Sequence, residues 1–464
     1  MHWACLNSTD LIISLFRGTL DCTLDCEKPD SKESWSWAVL QGTIWKAHGK
    51  SVAAATPYLP GSFDRPPRNP TEKLTSGYKA WEFLLYIIGL APALLHGILP
   101  DAEWRHLCKG VCVIRCFNQQ KIPMEQLVKC HKLAIEYVTE FETLYFQGMP
   151  ERIHFVRQSV HHMTHLGPEA IRLGPAALYS QWTIERTIGN LGQEIKSHSQ
   201  PYANLAERAL RRAQANALKA MIPDLDPEQA KTVRCSIDLG HGYTHLHARD
   251  EYRHRLDGDA ARTIRNFLVS QNGPMKGDLS VVRWARLRLP NGQIARSIWK
   301  ETRRPLNKIR MAPNILIKGL QQLTEVHFYF RAKIQDEVKA FALADLYSQP
   351  DEEFLEESYQ TVWSCGQGQG EHLAVVPVQN ILAVVAMIPH SIAADADKRY
   401  RAPETTFFLV EKPGLDVIQL TGYKEEDTMA VQMHIYSAAT FFGDFGLSAT
   451  KIGVLAPSAL KIWR

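Results

Sequence analysis

Glu185 is the residue of this chain whose surroundings most suggest chemistry. It lies in residues 182–195, where apolar side chains recur at the spacing of one helical face. Gly189 and Gly192 follow it at i+4 and i+7. Because a glycine inside a helix costs about 1 kcal/mol relative to alanine, two glycines beside a carboxylate predict that another group approaches closely. A phosphate backbone held through a divalent cation fits, since hard cations bind carboxylate oxygens. Close helix–helix packing with an exposed glutamate is the alternative.

A second predicted helix lies just downstream, from a capping-box-like start at Asn204 and Glu207 to Ile222. One face is apolar, and the opposite face is basic. The apolar face comprises Leu210, Ala213, Ala217 and Met221, and the basic face comprises Arg208, Arg211, Arg212 and Lys219. With Arg186 and Lys196, the basic face predicts a phosphate-binding surface. A basic face that is merely solvated is the alternative.

Length and composition bound the remaining possibilities. A chain of 464 residues exceeds one ordinary core, which predicts two or three domains. Its 45% hydrophobic and 22% charged residues are typical of a soluble globular protein. The nine cysteines, without a secretory signal at the N-terminus, predict reduced thiols in an intracellular compartment. The net charge of +4 is too small to indicate nucleic acid by itself.

One apolar stretch, residues 83–99, is nearly long enough to span a bilayer. Pro92 and His96 interrupt it. A pair of buried core helices broken at Pro92 is therefore predicted, with no membrane partner.

Histidine and cysteine clusters raise the alternative of a metalloprotein. One cluster comprises His154, His161, His162 and His165, and another comprises His241, His245 and His247. His161 and His165 are four apart on one helical face, but no third ligand is spaced to complete a site. Cys108, Cys112 and Cys116 repeat every four residues within an apolar helical pattern, as Cys22 and Cys26 do, which predicts buried free thiols.

The overall pattern predicts an α+β, multidomain protein. Residues 1–76 include a Pro-rich connector, 77–232 are helical, 233–277 form a linker, 278–415 form a small all-β, barrel-like domain, and 416–464 form an irregular tail. In the β region the apolar period changes to 2, and Pro290-Asn291-Gly292 predicts a hairpin. The basic run 300–310 lies inside it.

Three long blocks resemble a known family. YKAWEFLLYIIGLAPALLHGILPDAEW, ERIHFVRQSVHHMTHLGPEAIRLGPAALYSQWTIERTIGNLGQEIK and PYANLAERALRRAQANALKAMIPDL are similar to the C-terminal half of CACTA-type (En/Spm) transposases of mushroom-forming fungi. VVAMIP and FFLVEKPGLDV, in the β region, resemble the family's downstream domain. The resemblance covers roughly residues 1–420.

The resemblance implies a DDE transposase with a ribonuclease-H-like core. In such cores two aspartates and one glutamate hold two Mg²⁺ or Mn²⁺ ions for in-line attack at phosphorus. The WT-I-ER-x-IGNLG context places the family's glutamate on Glu185, as catalytic residue and metal ligand, and the family's helical insertion matches residues 30–180. The resemblance also implies transposon-end DNA as partner, DNA transposition in the nucleus, and a possible oligomer. The basic run 300–310 is weak support for nuclear import.

The departure from the family lies at the N-terminus. LNSTDLIISLFRGT matches a family segment that follows the second aspartate, and His2 fits the histidine of that aspartate's motif. Asp10 and Asp21 do not match, so this sequence carries one of the three carboxylates, and a lone glutamate binds Mg²⁺ weakly. The resemblance thus implies that residues 1–76 include a remnant of the catalytic core, and that the mostly helical N-terminal two-thirds of the chain hold an incomplete ribonuclease-H-like core plus the helical insertion. We therefore expect a truncated, DNA-binding transposase-derived protein that does not cleave DNA. An exapted DNA-binding or protein-interaction module and an unrelated His-cluster metalloprotein are the alternatives.

Overall fold

The computed structural model describes residues 2–21, 30–63, 65–74, 77–195, 199–222, 225, 235–301, 303, 309–318, 322–368, 372–390 and 406–412. The predicted tail, 416–464, lies outside these residues, as do Cys22 and Cys26. Met1–Thr421 form one compact unit.

The α-helices are bounded as follows: α1 Ser8–Phe16, α2 Gly42–Ala54, α3 Pro70–Lys73, α4 Ala80–Leu85, α5 Ala91–Leu94, α6 Asp101–Phe117, α7 Met124–Phe141, α8 Gln158–His161, α9 Leu166–Leu173, α10 Ala176–Tyr179, α11 Trp182–Glu194, α12 Pro201–Met221, α13 Gly258–Asn272, α14 Ile298–Glu301 and α15 Glu352–Glu357. Single π-helical turns lie at His2–Asn7, Tyr86–Leu90 and Glu142–Phe146.

The strands are β1 Ile237–Asp238, β2 Thr244–His245, β3 His254–Arg255, β4 Ser280–Val281, β5 Arg286–Arg288, β6 Ile294–Arg296, β7 Asn314–Ile317, β8 Gln322–Ile334, β9 Glu337–Leu346, β10 Ser364–Gly366, β11 Leu373–Pro377, β12 Ile381–Val384, β13 Ala386–His390 and β14 Thr406–Val410. They form sheets in the orders β11-β9-β8-β7-β12, β1-β2-β5-β6, β10-β14-β13 and β3-β4. The chain is therefore an α+β protein.

Helices α6 and α7 form the centre of the helical core. Helix α7 begins directly after Pro123, and its inner face is buried, with Leu127, Cys130, Ala134, Tyr137 and Phe141. Gly110 of α6 lies against α7, because a Cβ there would be 2.6 Å from Cε2 of Tyr137. Cys108, Cys112 and Cys116 are buried free thiols on α6, as predicted.

The apolar stretch 83–99 folds as α4, a π-helical turn and α5, with Pro92 in the first turn of α5. A proline is tolerated there because the first-turn N–H groups lack helical partners. Leu84, Tyr86 and Leu90 are buried in the helical core, so the predicted pair of core helices is confirmed. No helix in the described part of the chain is both long enough and apolar enough to cross a membrane.

The β region is organised by its longest pair, β8 and β9. Gln335 and Asp336, both with positive φ, join them in the two-residue turn that suits a right-twisted hairpin. The predicted hairpin around residues 290–292 is also present, with β5 and β6 as its strands and Gly292 at φ 80°. The helical and β regions share one core, since Ala386, Phe408 and Val410 pack with the helices.

Residues 233–277, predicted as a linker, contain β1, β2, β3 and α13. Ile264 and Leu268 of α13 are buried in a cluster with Phe330 and Phe341 of the largest sheet. The spacing of Ile264, Phe267 and Leu268 at i, i+3 and i+4 is the helical signal that identifies this segment.

Candidate nucleic-acid interface

The predicted phosphate-binding surface lies on two consecutive helices, α11 and α12, here called the α11/α12 pair (residues 182–194 and 201–221). The helix predicted over 182–195 is confirmed. The second helix begins earlier than the capping-box pattern at Asn204 predicts, with Pro201 in its first turn and Gln200 as N-cap. A proline with its fixed φ suits the first helical position, so the N-cap lies at Gln200, four residues before Asn204.

None of the 21 residues of α12 is buried, and most are exposed, although Arg208 and Arg212 are half-buried. Arg208, Arg212 and Lys219 recur at i, i+4 and i+11, and therefore share one face. Arg211 lies beside them. This arrangement brings four of the predicted cationic residues onto one continuous stripe.

Two of these cations have acidic neighbours. Arg211 pairs with Glu207 one turn earlier, and Arg212 pairs with Glu194, which joins α12 to α11. Arg208 makes no ion pair within the described residues. The Arg211–Glu207 pair is exposed, and exposed pairs contribute about 0–1 kcal/mol, so a phosphate oxygen can displace this carboxylate at small cost. The side chains of Arg212 and Glu194 are each 34% exposed.

Glu185 and Arg186 lie in the first turn of α11, but their side chains are outside the described part of the structure. Lys196 falls entirely outside it, in the connection between the two helices. For Glu185 and Arg186 the structure therefore gives only the position of the backbone, and Lys196 is located only by its place in the sequence.

Gly189 and Gly192 face open space. A Cβ built on either residue would meet no heavy atom within 4 Å. The described residues therefore do not show close helix–helix packing at these glycines, which was the alternative interpretation. No described residue covers the surface over either glycine.

The apolar face of α12 is also exposed. Leu210 and Met221 are 58% and 78% exposed, and Ile188 of α11 is 61% exposed. Amphipathic spacing identified this face, but it did not indicate whether the chain covers it. The α11/α12 pair thus carries both a basic stripe and uncovered apolar side chains.

The histidine clusters do not gather ligands. Nε2 of His161 lies 3.0 Å from Nε2 of His165 on the surface, and the described residues contain no group of three or more His, Cys, Asp or Glu side chains that could hold a metal ion. His245 is fully buried and stacked on Trp284, and burial lowers its pKa to about 3, while His241 and His247 are exposed.

The candidate carboxylates near the N-terminus are not arranged as an ion site. Asp10 is exposed and lies 3.3 Å from the guanidinium of Arg157. The side chain of His2 is outside the described residues. Within the described residues, which do not include the side chain of Glu185, no three His, Cys, Asp or Glu side chains converge on a position for a metal ion.

No family model matches the chain, and no curated protein or solved structure is significantly similar to it.

Proposed function

We propose that this chain binds duplex DNA through the α11/α12 pair and is derived from a CACTA-type transposase. The observation that supports this most is the exposed basic stripe of α12. Arg208 and Lys219 are 11 residues apart, or about 16 Å along the helix. Since each DNA strand carries one phosphate per about 3.4 Å of duplex axis, the stripe can reach several phosphates at once.

The open surface over Gly189 and Gly192 is the second support. Because glycine has no side chain, a phosphate of DNA can approach the main chain of α11 closely at these two positions. The contacts made in the bound state then offset the loss of helix stability that two helix-interior glycines cause.

The glycine positions provide the test of this proposal. The double variant Gly189→Ala/Gly192→Ala is expected to raise the free energy of unfolding by up to about 1 kcal/mol per site, because alanine favours the helix and meets open space. The same variant is expected to weaken duplex binding by about tenfold, which corresponds to about 1.4 kcal/mol. Fluorescence anisotropy and urea denaturation measure the two effects.

Gly61→Ala is the matched control for the glycine variant. Gly61 also has no heavy atom of the described residues within 4 Å of a built Cβ, has no positive φ, and lies outside the α11/α12 pair. Its substitution is expected to leave DNA affinity unchanged. Unchanged affinity in the Gly189→Ala/Gly192→Ala variant, together with increased stability, would leave the glycines without a role in binding.

We further propose that residues 1–464 by themselves do not cleave DNA. Among these residues the resemblance matches one metal-binding carboxylate, Glu185, and Mg²⁺ or Mn²⁺ needs several fixed oxygens to bind firmly. The expected result is no nicking of element-end DNA at any Mg²⁺ or Mn²⁺ concentration. Nicks that appear with the metal and vanish in Glu185→Ala would contradict this and would make Glu185 a catalytic residue.

The finer architecture is part of the same proposal. A ribonuclease-H-like arrangement would include the α11 helix that carries Glu185. The β region would correspond to the family's downstream, barrel-like domain, and the working compartment would be the nucleus. These assignments rest on the resemblance of the sequence blocks.

A protein-interaction module is the second candidate, favoured by the exposed Ile188, Leu210 and Met221. The interface would then be apolar, and its strength would change little with salt, whereas contacts with phosphates weaken steeply as salt rises. Binding of a protein partner that is lost in Leu210→Ser but retained in a charge-neutralised α12 would favour this second candidate over DNA.

A further inference from the structure

A surface cavity of about 300 Å³ lies in the β region, beside the hairpin of β5 and β6. Ala248, Ala285 and Ile309 form part of its wall. Its remaining lining is strongly cationic, with Arg286, Arg296, Lys300 and Arg303. None of these residues belongs to the α11/α12 pair, so the cavity is a separate feature of the molecule.

The strand register places two of these cations directly opposite each other. Arg286 of β5 pairs with Arg296 of β6. Like charges in this position destabilise a sheet. The register cannot slip to separate them, because the neighbouring pair of Leu287 and Ala295 is fully buried on the other face. The fold therefore maintains a concentration of positive charge at the cavity.

A buried hydroxyl completes the lining. Ser297 is fully buried, and its Oγ has no hydrogen-bond partner within the described residues. Buried polar groups in folded proteins are almost always satisfied. An unpartnered hydroxyl at the wall of a cationic cavity is therefore suited to donate a hydrogen bond to an anion there.

Glu301 is the acidic side chain of the lining, and both its oxygens are engaged. Oε1 accepts from Nη1 of Arg296 at 3.3 Å, and Oε2 accepts from the backbone N–H of Ala312 at 3.0 Å. Burial raises the pKa of Glu301, whereas the backbone N–H of Ala312 and the charges of Arg296 and Arg286 lower it. The single carboxyl group is therefore hydrogen-bonded within the fold, beside four cationic side chains that line the cavity.

Arg286, Lys300 and Arg303 make no ion pair with any residue that the structure describes. Lys300 and Arg303 both lie over the Trp299 ring, at 4.1 and 5.8 Å from its centroid. This shared aromatic contact keeps two flexible side chains close to the cavity, so that less conformational freedom is lost when a ligand binds.

We propose that this cavity binds a phosphate group, supplied by a nucleic-acid backbone or by a free phosphate ester. Guanidinium and ammonium donors that converge from several directions suit the oxygens of a tetrahedral anion, and guanidinium forks bind phosphate in bidentate fashion. Arg286, Lys300 and Arg303 supply the charge, and the hydroxyl of Ser297 donates from the buried side. This site does not depend on DNA binding by the α11/α12 pair.

The test is a calorimetric titration of the full chain with inorganic phosphate. Loss of charge-assisted hydrogen bonds is expected to weaken phosphate binding about tenfold or more in Arg286→Gln/Arg303→Gln, and measurably in Ser297→Ala. Ser297→Ala removes a hydroxyl without a partner, so folding is retained in that variant. Arg253→Gln/Arg262→Gln, which removes two exposed charges elsewhere, is the matched control and should bind as the wild type does.

Equal phosphate affinity in the wild type and both cavity variants, or no binding by the wild type, would overturn the proposal. Duplex DNA as a second titrant separates the two sources. If the backbone is the ligand, the cavity variants also weaken duplex binding and inorganic phosphate competes with the duplex. If a free phosphate ester is the ligand, duplex binding is unaffected and only the binding of phosphate falls.

Discussion

Replacing Arg152 with methionine is expected to lower the free energy of unfolding by about 3–5 kcal/mol. The Arg152 and Asp30 side chains are only 1% and 2% exposed. Nε of Arg152 donates to Oδ2 of Asp30 at 2.7 Å, and Nη2 donates to Oδ1 at 3.1 Å. Without the guanidinium, Asp30 would be a buried carboxylate lacking its counter-charge, which is the source of the large cost.

Further contacts of Arg152 support the same result. Its Nη2 donates to Oγ of Ser34 at 2.7 Å, and its Nη1 donates to Oε1 of Gln147 at 2.6 Å. The guanidinium also lies over the Trp37 ring, 5.2 Å from its centroid. These contacts join residues 30–37 to the segment that follows α7, so their loss is expected to destabilise both segments.

Chemical denaturation with Lys129→Met as control checks this prediction. Lys129 forms an exposed i,i+4 pair with Glu125, so its loss is expected to cost about 0.5 kcal/mol or less. Replacing both partners, as in Arg152→Met/Asp30→Leu, is expected to recover part of the loss, because no charge is then left unpaired. An Arg152→Met variant as stable as the wild type would show that the buried pair is not needed.

The cost of Arg152→Met is expected to depend on pH. Burial by itself would raise the pKa of Asp30, but hydrogen bonds from Arg152 and Trp35 and the guanidinium charge lower it below its ordinary value. A carboxyl group with a lowered folded pKa stabilises the fold above its unfolded pKa of about 3.9, and this contribution is lost as the pH falls through the folded value. The stability difference between wild type and variant should therefore be largest near neutral pH and shrink in acid.

Neutralising the basic stripe of α12 is expected to weaken duplex binding by roughly 100-fold and to flatten its salt dependence. The variant carries Gln at Arg208, Arg211, Arg212 and Lys219. Each phosphate contact contributes about 0.9 to the slope of log K against log salt, so the slope should fall by up to about 3–4. Anisotropy titrations at several salt concentrations measure both quantities.

The matched control removes the same number of charges elsewhere on the surface. It carries Gln at Arg105, Lys129, Arg262 and Lys333, each of which is more than half exposed and pairs with a surface carboxylate. This control should retain most of the wild-type slope. If the slope of log K against log salt falls equally in both variants, DNA binding depends on the net charge of the protein and not on the basic stripe of α12.

Local sequence pattern predicted much of the secondary structure for identifiable reasons. The apolar spacing over residues 182–195 predicted α11, because a helical period continues there over three turns. The period-2 alternation of the β region predicted strands, and residues 290–292 predicted the hairpin of β5 and β6. The break at Pro92 followed from the chemistry of proline in a helix.

Features that depend on long-range pairing were not predictable in the same way. Asp30 and Arg152 are 122 residues apart, and no local pattern connects them. The cationic cavity depends on the register that puts Arg286 opposite Arg296. In α12, the spacing of the residues predicted an apolar face and a basic face. Whether each face is exposed depends on how the rest of the chain packs, which the local sequence does not specify.

The most direct test of DNA binding by the α11/α12 pair is hydrogen–deuterium exchange of the wild-type chain with and without a short duplex. Exposed helices with little buried surface open locally at low free energy, so their amides exchange readily in the free protein. DNA binding should slow exchange across Trp182–Glu194 and Pro201–Met221 and leave the buried helices α6 and α7 unchanged. Protection confined to other segments, or no change on adding DNA, would contradict the assignment of this helical pair as the DNA-binding surface.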